Sequence, residues 1–189
     1  MTRKYACVTS VAVLAAVFCV WDWAIAGSDG AKTAVPKTGQ TTSYDTGDDG
    51  DLQKGAAWPS LRFTDDGATV TDNLTGLMWV KAPHSLDGNS GAQTYHDALA
   101  FCNGLDFAGH SDWRLPNVRE LHSLVTYGYY YPALPSGHPF TGVRSSNYWS
   151  STTHVGYADR AWFVYLHHGN VSVSVKSATC DVWPVRSGE

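Results

Sequence analysis

The feature that most constrains the fold is a short segment, residues 111–121, in which an extended run turns into a helix. Trp113 is a large apolar side chain with a single indole N–H, and such side chains fill cores while the N–H donates to a carbonyl oxygen. Pro116 ends the extended run, because the residue before a proline is held away from the helical conformation. Asn117 and Glu120 have the spacing of a capping box at the start of a helix. The segment therefore predicts a corner between an extended run and a helix.

The same corner carries a basic side chain between two acidic ones. Arg114 stands near both Asp112 and Glu120 in the chain, which predicts a partly buried guanidinium in a hydrogen-bonded network. A network of this kind fixes geometry more than it stabilises the fold, so we interpret the corner as scaffold without chemistry. The residues assigned to the scaffold are Trp79, Trp113, Arg114, Glu120, Trp149 and Trp162.

The N-terminus has the composition of an export signal. Arg3 and Lys4 precede an apolar run over residues 5–20, and small residues lead to Ala26. A basic start, an apolar stretch and a small-residue cleavage site define a secretory signal peptide, which predicts residues 1–26 as a signal removed after Ala26. The exported protein would be periplasmic, displayed on the cell surface or secreted, with no membrane span after cleavage. The alternative is that the signal is not cleaved and its apolar run anchors the protein in the membrane.

Residues 27–57 are rich in Gly, Thr, Lys, Asp and Gln, and this composition predicts a flexible acidic arm. Its aspartates Asp45, Asp48, Asp49 and Asp51 raise the alternative of a calcium site, because hard cations prefer oxygen ligands. The EF-hand pattern fails, however, at two ligand positions that hold glycine and alanine. A solvated acidic turn is therefore the favoured interpretation, and no metal is predicted.

Residues 58–189 are predicted to form one domain of the α+β class. Three short strands within residues 61–80 are separated by turn residues, and one helix begins at Thr94, whose hydroxyl is placed to cap it. A second helix follows at about residues 117–126. Long connections rich in proline and glycine separate the later strands. We therefore expect two helices packed on a small twisted, mainly antiparallel sheet with much irregular loop.

Charge and cysteine content exclude several classes of function. The chain has 13 basic and 17 acidic side chains and a formal charge of −4, which disfavours binding to nucleic acid. Cys102 and Cys180 remain after removal of the signal, and they form a disulfide or stay free. The histidines have no metal-ligand spacing beyond the adjacent His167 and His168, which point to opposite faces of a strand. No catalytic group, metal or cofactor is predicted, and the chain is expected not to be an enzyme.

The C-terminal region carries the clearest strand pattern, an alternation over residues 162–167 and again over 171–176. The expected inward row is Trp162, Val164 and Leu166 with Val171, Val173 and Val175, and the expected outward row is Phe163, Tyr165 and His167 with Ser172 and Ser174. Outward aromatic and hydroxyl side chains resemble an antibody-like binding surface. The alternative is that the aromatics pack beneath the loop of residues 132–147. The tyrosine-rich loop 127–131 is either a further binding surface or a lid over the edge of the core.

Several motifs together resemble a known family. They are the segment Phe-Thr-Asp-Asp-Gly-Ala-Thr-Val-Thr-Asp-Asn-Leu-Thr-Gly-Leu-Met-Trp at 63–79, the helix with Ala98, Cys102 and Leu105, the corner at 112–117 with Glu120 and Leu121, the strand at 148–152, and Val185 with Arg186. This set is similar to the C-terminal domain family of the bacterial collagen-like adhesin (Lcl), over about residues 58–188. The resemblance implies a secreted module with a C-type-lectin-like fold, related to that of the formylglycine-generating enzyme. Pro184 stands where the family pattern has its closing cysteine, so the family disulfide would need Cys180 from a shifted position, or Cys102 stays unpaired.

A narrower resemblance concerns residues 153–182. This segment contains no Glu, Gln or Met and a single Lys and Trp, as expected where adenine-directed mutagenesis rewrites mostly AAC codons. It is similar in this respect to the variable proteins of diversity-generating retroelements, which often use this domain. The predicted ligand contacts are His154, Tyr157, Asp159, Arg160, Phe163, Tyr165, His167, His168, Ser172, Ser174, Ser177, Thr179 and Asp181, with Phe163 and Tyr165 as anchors.

The predicted function is that of an exported, receptor-like or adhesin-like protein that binds an unknown protein or glycan on another cell, a phage or a surface. The alternative is a glycan-binding adhesin module without diversification. Sulfated polymers need clustered basic side chains, and the tail offers only Arg160, Lys176 and Arg186, so a neutral sugar fits better. Formylglycine-generating chemistry implies paired reactive thiols, whereas Cys102 lies on the apolar face of a helix, where structural thiols belong.

Overall fold

The structure, a computed structural model, describes residues 35–89 and 91–188. The predicted signal peptide, residues 1–26, and the first part of the predicted arm, residues 27–34, lie outside the described residues. None of the described helices has the length and apolar character needed to cross a membrane.

Three α-helices and nine β-strands make up the described chain. The helices are α1 (Asp49–Leu52), α2 (Tyr95–Asn103) and α3 (Val118–Ser123), with a 3-10 turn at Pro83–Ser85. The strands are β1 (Phe63–Asp65), β2 (Thr69–Asp72), β3 (Leu77–Val80), β4 (Gln93–Thr94), β5 (Asn147–His154), β6 (Tyr157–Tyr165), β7 (Asn170–Val175), β8 (Thr179–Cys180) and β9 (Val185–Ser187). This content confirms the predicted α+β class and adds α1 as a short helix that was not expected.

The strands form three antiparallel sheets, with the orders β1-β2-β3-β9, β4-β8 and β5-β6-β7. The first sheet joins the start of the domain to its end, because β9 pairs with β3 and places Arg186 opposite Met78. The β5-β6-β7 sheet carries most of the predicted ligand contacts. The prediction of mainly antiparallel pairing is confirmed.

Side-chain caps explain where the two longer helices begin. The hydroxyl of Thr94 accepts a hydrogen bond from the backbone N–H of Asp97 at the start of α2. Asn117 caps α3, and the carboxylate of Glu120 accepts a bond from the backbone N–H of Asn117, which completes the capping box. α3 ends at Ser123, before the predicted end, because the amides that follow bond into the turn and the next loop.

The corner around Trp113 is a buried junction. Trp113 is almost fully buried, and its indole N–H donates to a backbone carbonyl oxygen at 3.0 Å. Arg114 donates two hydrogen bonds of 2.7 Å to the carboxylate of Glu120. Arg186 of β9 donates to the carboxylate of Asp112 at 2.7 Å. The corner is thereby tied to the last strand of the first sheet.

Residues 35–57 lie against the domain, which departs from the prediction of a flexible arm. The indole N–H of Trp58 donates to the carbonyl oxygen of Lys37 at 2.9 Å. Within the acidic turn, Asp48 caps α1, and three backbone N–H groups donate to its carboxylate. These N–H groups, that of Tyr44 first, hold the pKa of the Asp48 carboxyl below its usual value. The Asp48 carboxylate therefore acts as a hydrogen-bond acceptor for nearby backbone N–H groups.

Two apolar cores lie on opposite faces of the β5-β6-β7 sheet. The first core contains Val164 of β6 together with Leu121 of α3. The second contains Ala161 of β6 together with Ala98 of α2. Because residues three apart on a strand point to opposite faces, β6 is covered from both sides. β7 lies at the outside of the same sheet and is covered much less.

Cys102 and Cys180 are free thiols in the second core. Burial raises the pKa of each thiol to about 12, so both are protonated at neutral pH. Because the thiolate is the reactive form of cysteine, these side chains act here as apolar packing groups.

Candidate functional site

The candidate site is the unit formed by β6, β7 and the loop between them, here called the ribbon. Six residue pairs join the two strands without a shift in register. Gly169 in the loop has a φ of 84°, and a Cβ at this position would lie 2.4 Å from the side chain of Val125. Glycine is therefore required for the loop to approach the end of α3 this closely.

The two faces of the ribbon differ from the predicted inward and outward rows. On one face Val164 is fully buried, but Val171 and Val175 of β7 are 37% and 40% exposed. On the other face Phe163 packs on the second core, with its ring centroid 6.4 Å from that of Trp149. Phe163 is thus half-buried rather than outward, and the valine row of β7 is not inward. Within the ribbon, burial depends on the strand more than on the face, because β6 contributes side chains to both cores and β7 to neither.

A stack of planar side chains lies at one end of the ribbon. The ring of His154, at the end of β5, lies 5.5 Å from that of Trp162 and 5.2 Å from that of Tyr157. The guanidinium of Arg160 lies 5.2 Å from the centroid of the Tyr157 ring, which is a cation–π contact. Tyr157 is 59% exposed, so the stack presents its outer end to solvent. Three predicted contacts therefore lie in one row, and its inner member, His154, lies against Trp162, which was assigned to the scaffold.

An aromatic cluster lies at the other end of the ribbon, around its loop. The ring of His167 lies 5.5 Å from that of Tyr165, 3.9 Å from that of His168 and 4.9 Å from that of Tyr131. The two histidines therefore do not point to opposite faces of a strand, because β6 ends at Tyr165 and both lie in the turn that follows. The backbone N–H of Tyr131 donates to the carbonyl oxygen of His167 at 2.9 Å. The four tyrosines of loop 127–131 are all more than half exposed. The structure thus brings this loop to the ribbon, a neighbour that no local pattern in the sequence identifies.

A groove of about 600 Å³ begins where β7 ends. Its lining residues are Thr94, His96, Ala158, Asp159, Val175, Lys176 and Ser177. The ammonium of Lys176 lies 4.7 Å from the centroid of the Tyr95 ring, which holds this side chain against the start of α2. The groove brings two predicted contacts, Asp159 and Ser177, beside His96. His96 was missed because α2 is distant in the chain from the ribbon.

The remaining predicted contacts separate into surface and interior positions. Ser172 and Ser174 lie on β7 at least partly exposed, and Thr179 is exposed on β8. Asp181, in contrast, is only 2% exposed and accepts a hydrogen bond of 3.0 Å from Arg144. The prediction that Asp181 contacts a ligand is therefore corrected. It is buried because its backbone pairs with β5, which places it inside the domain.

Asp181 belongs to a small buried polar network. The Nδ1 atom of His84 lies 3.9 Å from its carboxylate, and the Nε2 atom of His84 shares a hydrogen bond of 2.9 Å with the hydroxyl of Tyr148. Burial lowers the pKa of His84, so its imidazole is neutral at pH 7. Burial also raises the pKa of Tyr148. These groups organise the interior beneath the sheet.

Within residues 35–89 and 91–188, no three side chains of His, Cys, Asp or Glu are placed to hold a metal ion together. The side chains exposed on and beside the ribbon include Tyr157, Ser172 and Thr179. Such groups provide contact area and hydrogen bonds, which are the means of recognition.

Comparison with known families gives a match over most of the globular region. The sequence model described as the Lcl C-terminal domain matches residues 68–186, from just before β2 into β9. The whole ribbon lies within the match. No curated protein matches the chain significantly.

Proposed function

The chain belongs to the Lcl C-terminal domain family, and we propose that it is an exported ligand-binding protein whose ribbon carries a variable recognition surface. In this proposal the fold is C-type-lectin-like and the protein is a variable protein of a diversity-generating retroelement. The ligand is a protein or a glycan outside the cell, on another cell, a phage or a surface.

The observation that carries the proposal is the division of the ribbon into a buried frame and exposed side chains of few types. Ala161, Val164 and Leu166 of the frame are fully buried and hold the backbone in place. The exposed predicted contacts are Tyr157, Asp159, Arg160, His168, Ser172, Ser177 and Thr179. Each of these residue types is encoded by a codon that arises when the adenines of an AAC codon are mutated. Side chains at such positions can change without loss of core contacts, as in antibody loops.

The stack and the aromatic cluster supply the anchors that such a surface needs. Aromatic side chains dominate the energetics of interfaces, and Arg ranks with Tyr and Trp among the residues that bind most strongly. Tyr157 and Arg160 at one end and Tyr165 with His167 at the other are available for this role. In this proposal the anchors lie at both ends of the ribbon. Tyr165 keeps the role predicted from the sequence, and Tyr157 with Arg160 takes the role predicted for Phe163.

The proposal includes export and excludes catalysis. The predicted signal over residues 1–26 would deliver the protein to the periplasm, the cell surface or the medium. Cys102 and Cys180 are buried thiols that stay protonated at neutral pH, so they do not supply the reactive thiolates that formylglycine-generating chemistry implies.

A genome search tests the diversification claim directly. We expect a near-copy of the 3′ part of the gene, covering codons 153–182 and differing from it only at adenines, next to a reverse transcriptase gene. A source genome with neither feature contradicts the claim and leaves a ligand-binding domain of fixed sequence.

A second candidate function, a glycan-binding adhesin module without diversification, is favoured by the exposed tyrosines of loop 127–131. Aromatic rings beside hydroxyl groups suit a neutral sugar, and this loop is outside the segment proposed to vary. Binding to an array of neutral glycans that is lost in Tyr130→Ala would support it. Tyr44→Ala is the matched control, because Tyr44 is similarly exposed but lies in the acidic turn. Equal binding by both variants, or no binding by the unmodified protein, contradicts it.

A further inference from the structure

The ribbon has an open backbone edge. β7 is the outer strand of the β5-β6-β7 sheet and is six residues long. Among the described residues, the backbone groups of residues 171–174 form bonds only with β6. Because the backbone of a strand alternates between its two edges, about half of these N–H and C=O groups face away from β6.

Hydrogen bonds on the other side of β6 show which residues of β7 face the open edge. The hydroxyl of Ser150 in β5 donates to the carbonyl oxygen of Trp162 at 2.7 Å, so the backbone of Trp162 faces β5. Trp162 lies opposite Val173, and this pair therefore carries no bond between β6 and β7. The N–H and C=O of Val173 point to the open edge, and by alternation those of Val171 do too. The backbone of Ser172 faces β6.

This edge lacks the features by which proteins protect an open strand. Edges are blunted by short strands, charged side chains, proline or bulges. β1, an outer strand of the first sheet, has only three residues and includes Asp65. β7 reads Asn-Val-Ser-Val-Ser-Val, with no charge, proline or glycine, and its register is unbroken. An edge of this kind is a template for another strand.

We propose that the open edge of β7 binds an extended segment of a partner polypeptide, which joins the β5-β6-β7 sheet as a fourth strand. The proposal rests on the proposed function and names the ligand class of the same site. Backbone N–H and C=O groups in a row at strand spacing are matched by another polypeptide strand and not by a glycan.

The length of the edge favours an extended segment of a partner over a second copy of this chain. A stable interface between two folded proteins uses about 20–30 residues on each side. β7 offers six residues, and its pairing alone falls short of that size. An added peptide strand, by contrast, needs only the edge and the side chains beside it.

Strand addition also fits a surface whose side chains vary. The backbone bonds at Val171 and Val173 do not depend on which side chains the ribbon carries. Specificity would come from side chains on the two faces, with Trp162 on one and Ser172 on the other. The groove lined by Asp159 and Lys176 also includes Val175, the last residue of β7, and leaves room beside the end of the strand for a further side chain of the partner. Backbone hydrogen bonds would then give every variant of the ribbon a similar affinity for strands, and the variable side chains would decide which strand is preferred.

The test uses NMR titration of the ¹⁵N-labelled full chain with blocked synthetic peptides in which Thr alternates with Val, Ile, Tyr or Phe between terminal lysines. We expect saturable shifts and slowed hydrogen exchange at the amides of Val171 and Val173. Val173→Pro removes an outward N–H but no bond to β6, and it should weaken binding about tenfold with little change in melting temperature. Val173→Thr keeps the N–H and should bind like the unmodified protein. Ser172→Pro removes a bond to β6 and should lower the melting temperature.

Three outcomes overturn the proposal: no shift with any peptide at millimolar concentration, unchanged binding in Val173→Pro, or equal binding of peptides whose alternate amides are N-methylated. Shifts of the same amides on raising the protein concentration alone would assign the edge to a second copy of the chain and equally overturn it. The genome search for the adenine-restricted near-copy is independent of these results. A failed titration therefore leaves the proposed variable surface standing on the faces of the ribbon.

Discussion

The corner around Trp113 and the ribbon use similar side chains in opposite ways. In the corner, Trp113 is buried with its N–H bonded, and Arg114 is held by two hydrogen bonds to Glu120. In the ribbon, Tyr157 and Arg160 contact each other at the surface and stay exposed. The corner uses its aromatic and charged groups in internal contacts, whereas the ribbon leaves them exposed to solvent. Tolerance to substitution should therefore differ sharply between these regions.

The largest expected effect is that of Trp113→Ala. Removal of a buried tryptophan leaves a cavity and removes the hydrogen bond from its indole N–H to the carbonyl of Phe107, which costs about 3–5 kcal/mol of the free energy of unfolding. Tyr157→Ala in the ribbon should change the same quantity by less than about 0.5 kcal/mol. Urea denaturation of both variants measures this contrast. Similar losses in both would break the distinction between a fixed corner and a tolerant ribbon.

The next largest effect on the free energy of unfolding is a difference between two aspartates, Asp159 and Asp181, in the segment proposed to vary. Asp181 is buried and accepts a hydrogen bond from Arg144, so Asp181→Ala should lower the free energy of unfolding by about 1.5–3 kcal/mol. Asp159 is exposed, and Asp159→Ala should stay within about 0.5 kcal/mol of the unmodified protein. Chemical denaturation of the pair decides whether the tolerant region ends before Asp181, the residue that follows β8. A stable Asp181→Ala protein would extend the region to Asp181.

A smaller effect is expected from pH and belongs to the buried interior. Burial lowers the pKa of His84 and of His138 in the native protein. The unfolded chain takes up these protons near pH 6.5, and the native protein only at lower pH. The unfolded state then binds more protons, so stability should fall as the pH drops from 7 towards 5. Melting temperatures across this range should show the fall, and His84→Gln with His138→Gln should flatten it. A matched slope in the double variant would assign the fall to other groups.

The smallest effect is expected on β7 itself. Ser172→Tyr adds a large side chain at an exposed position of the outer strand, and it should change the free energy of unfolding by less than about 0.5 kcal/mol. Ala161→Tyr, on the neighbouring strand, adds the same side chain at a fully buried position and should be destabilising. Thermal unfolding of the two variants compares β7 with β6 directly. An equal loss in both would show that the outer strand is as constrained as the central one.

Local chemistry in the sequence was sufficient for the elements and several of their ends. The α+β class, the antiparallel pairing of consecutive strands such as β1 with β2 and the capping box at Asn117 depend on residues close together in the chain. The same is true of the hydroxyl cap at Thr94 and of the strand alternation in the ribbon. Each rests on interactions across a few residues, and side-chain periodicity or cap chemistry reports these directly.

Tertiary structure alone decided which parts of these elements are covered. Alternation identifies the residues that share a face with Phe163, but not that α2 and the second core lie against that face. The burial of Asp181, the packing of residues 35–57 and the contact of Tyr131 with His167 likewise depend on segments distant in the chain. Tertiary structure likewise decides that β7 lies at the outside of its sheet, where the backbone of Val173 has no neighbouring strand among the described residues. Local sequence determines the faces that a strand has, whereas burial is a property of everything packed around it, and only the folded chain brings those neighbours together.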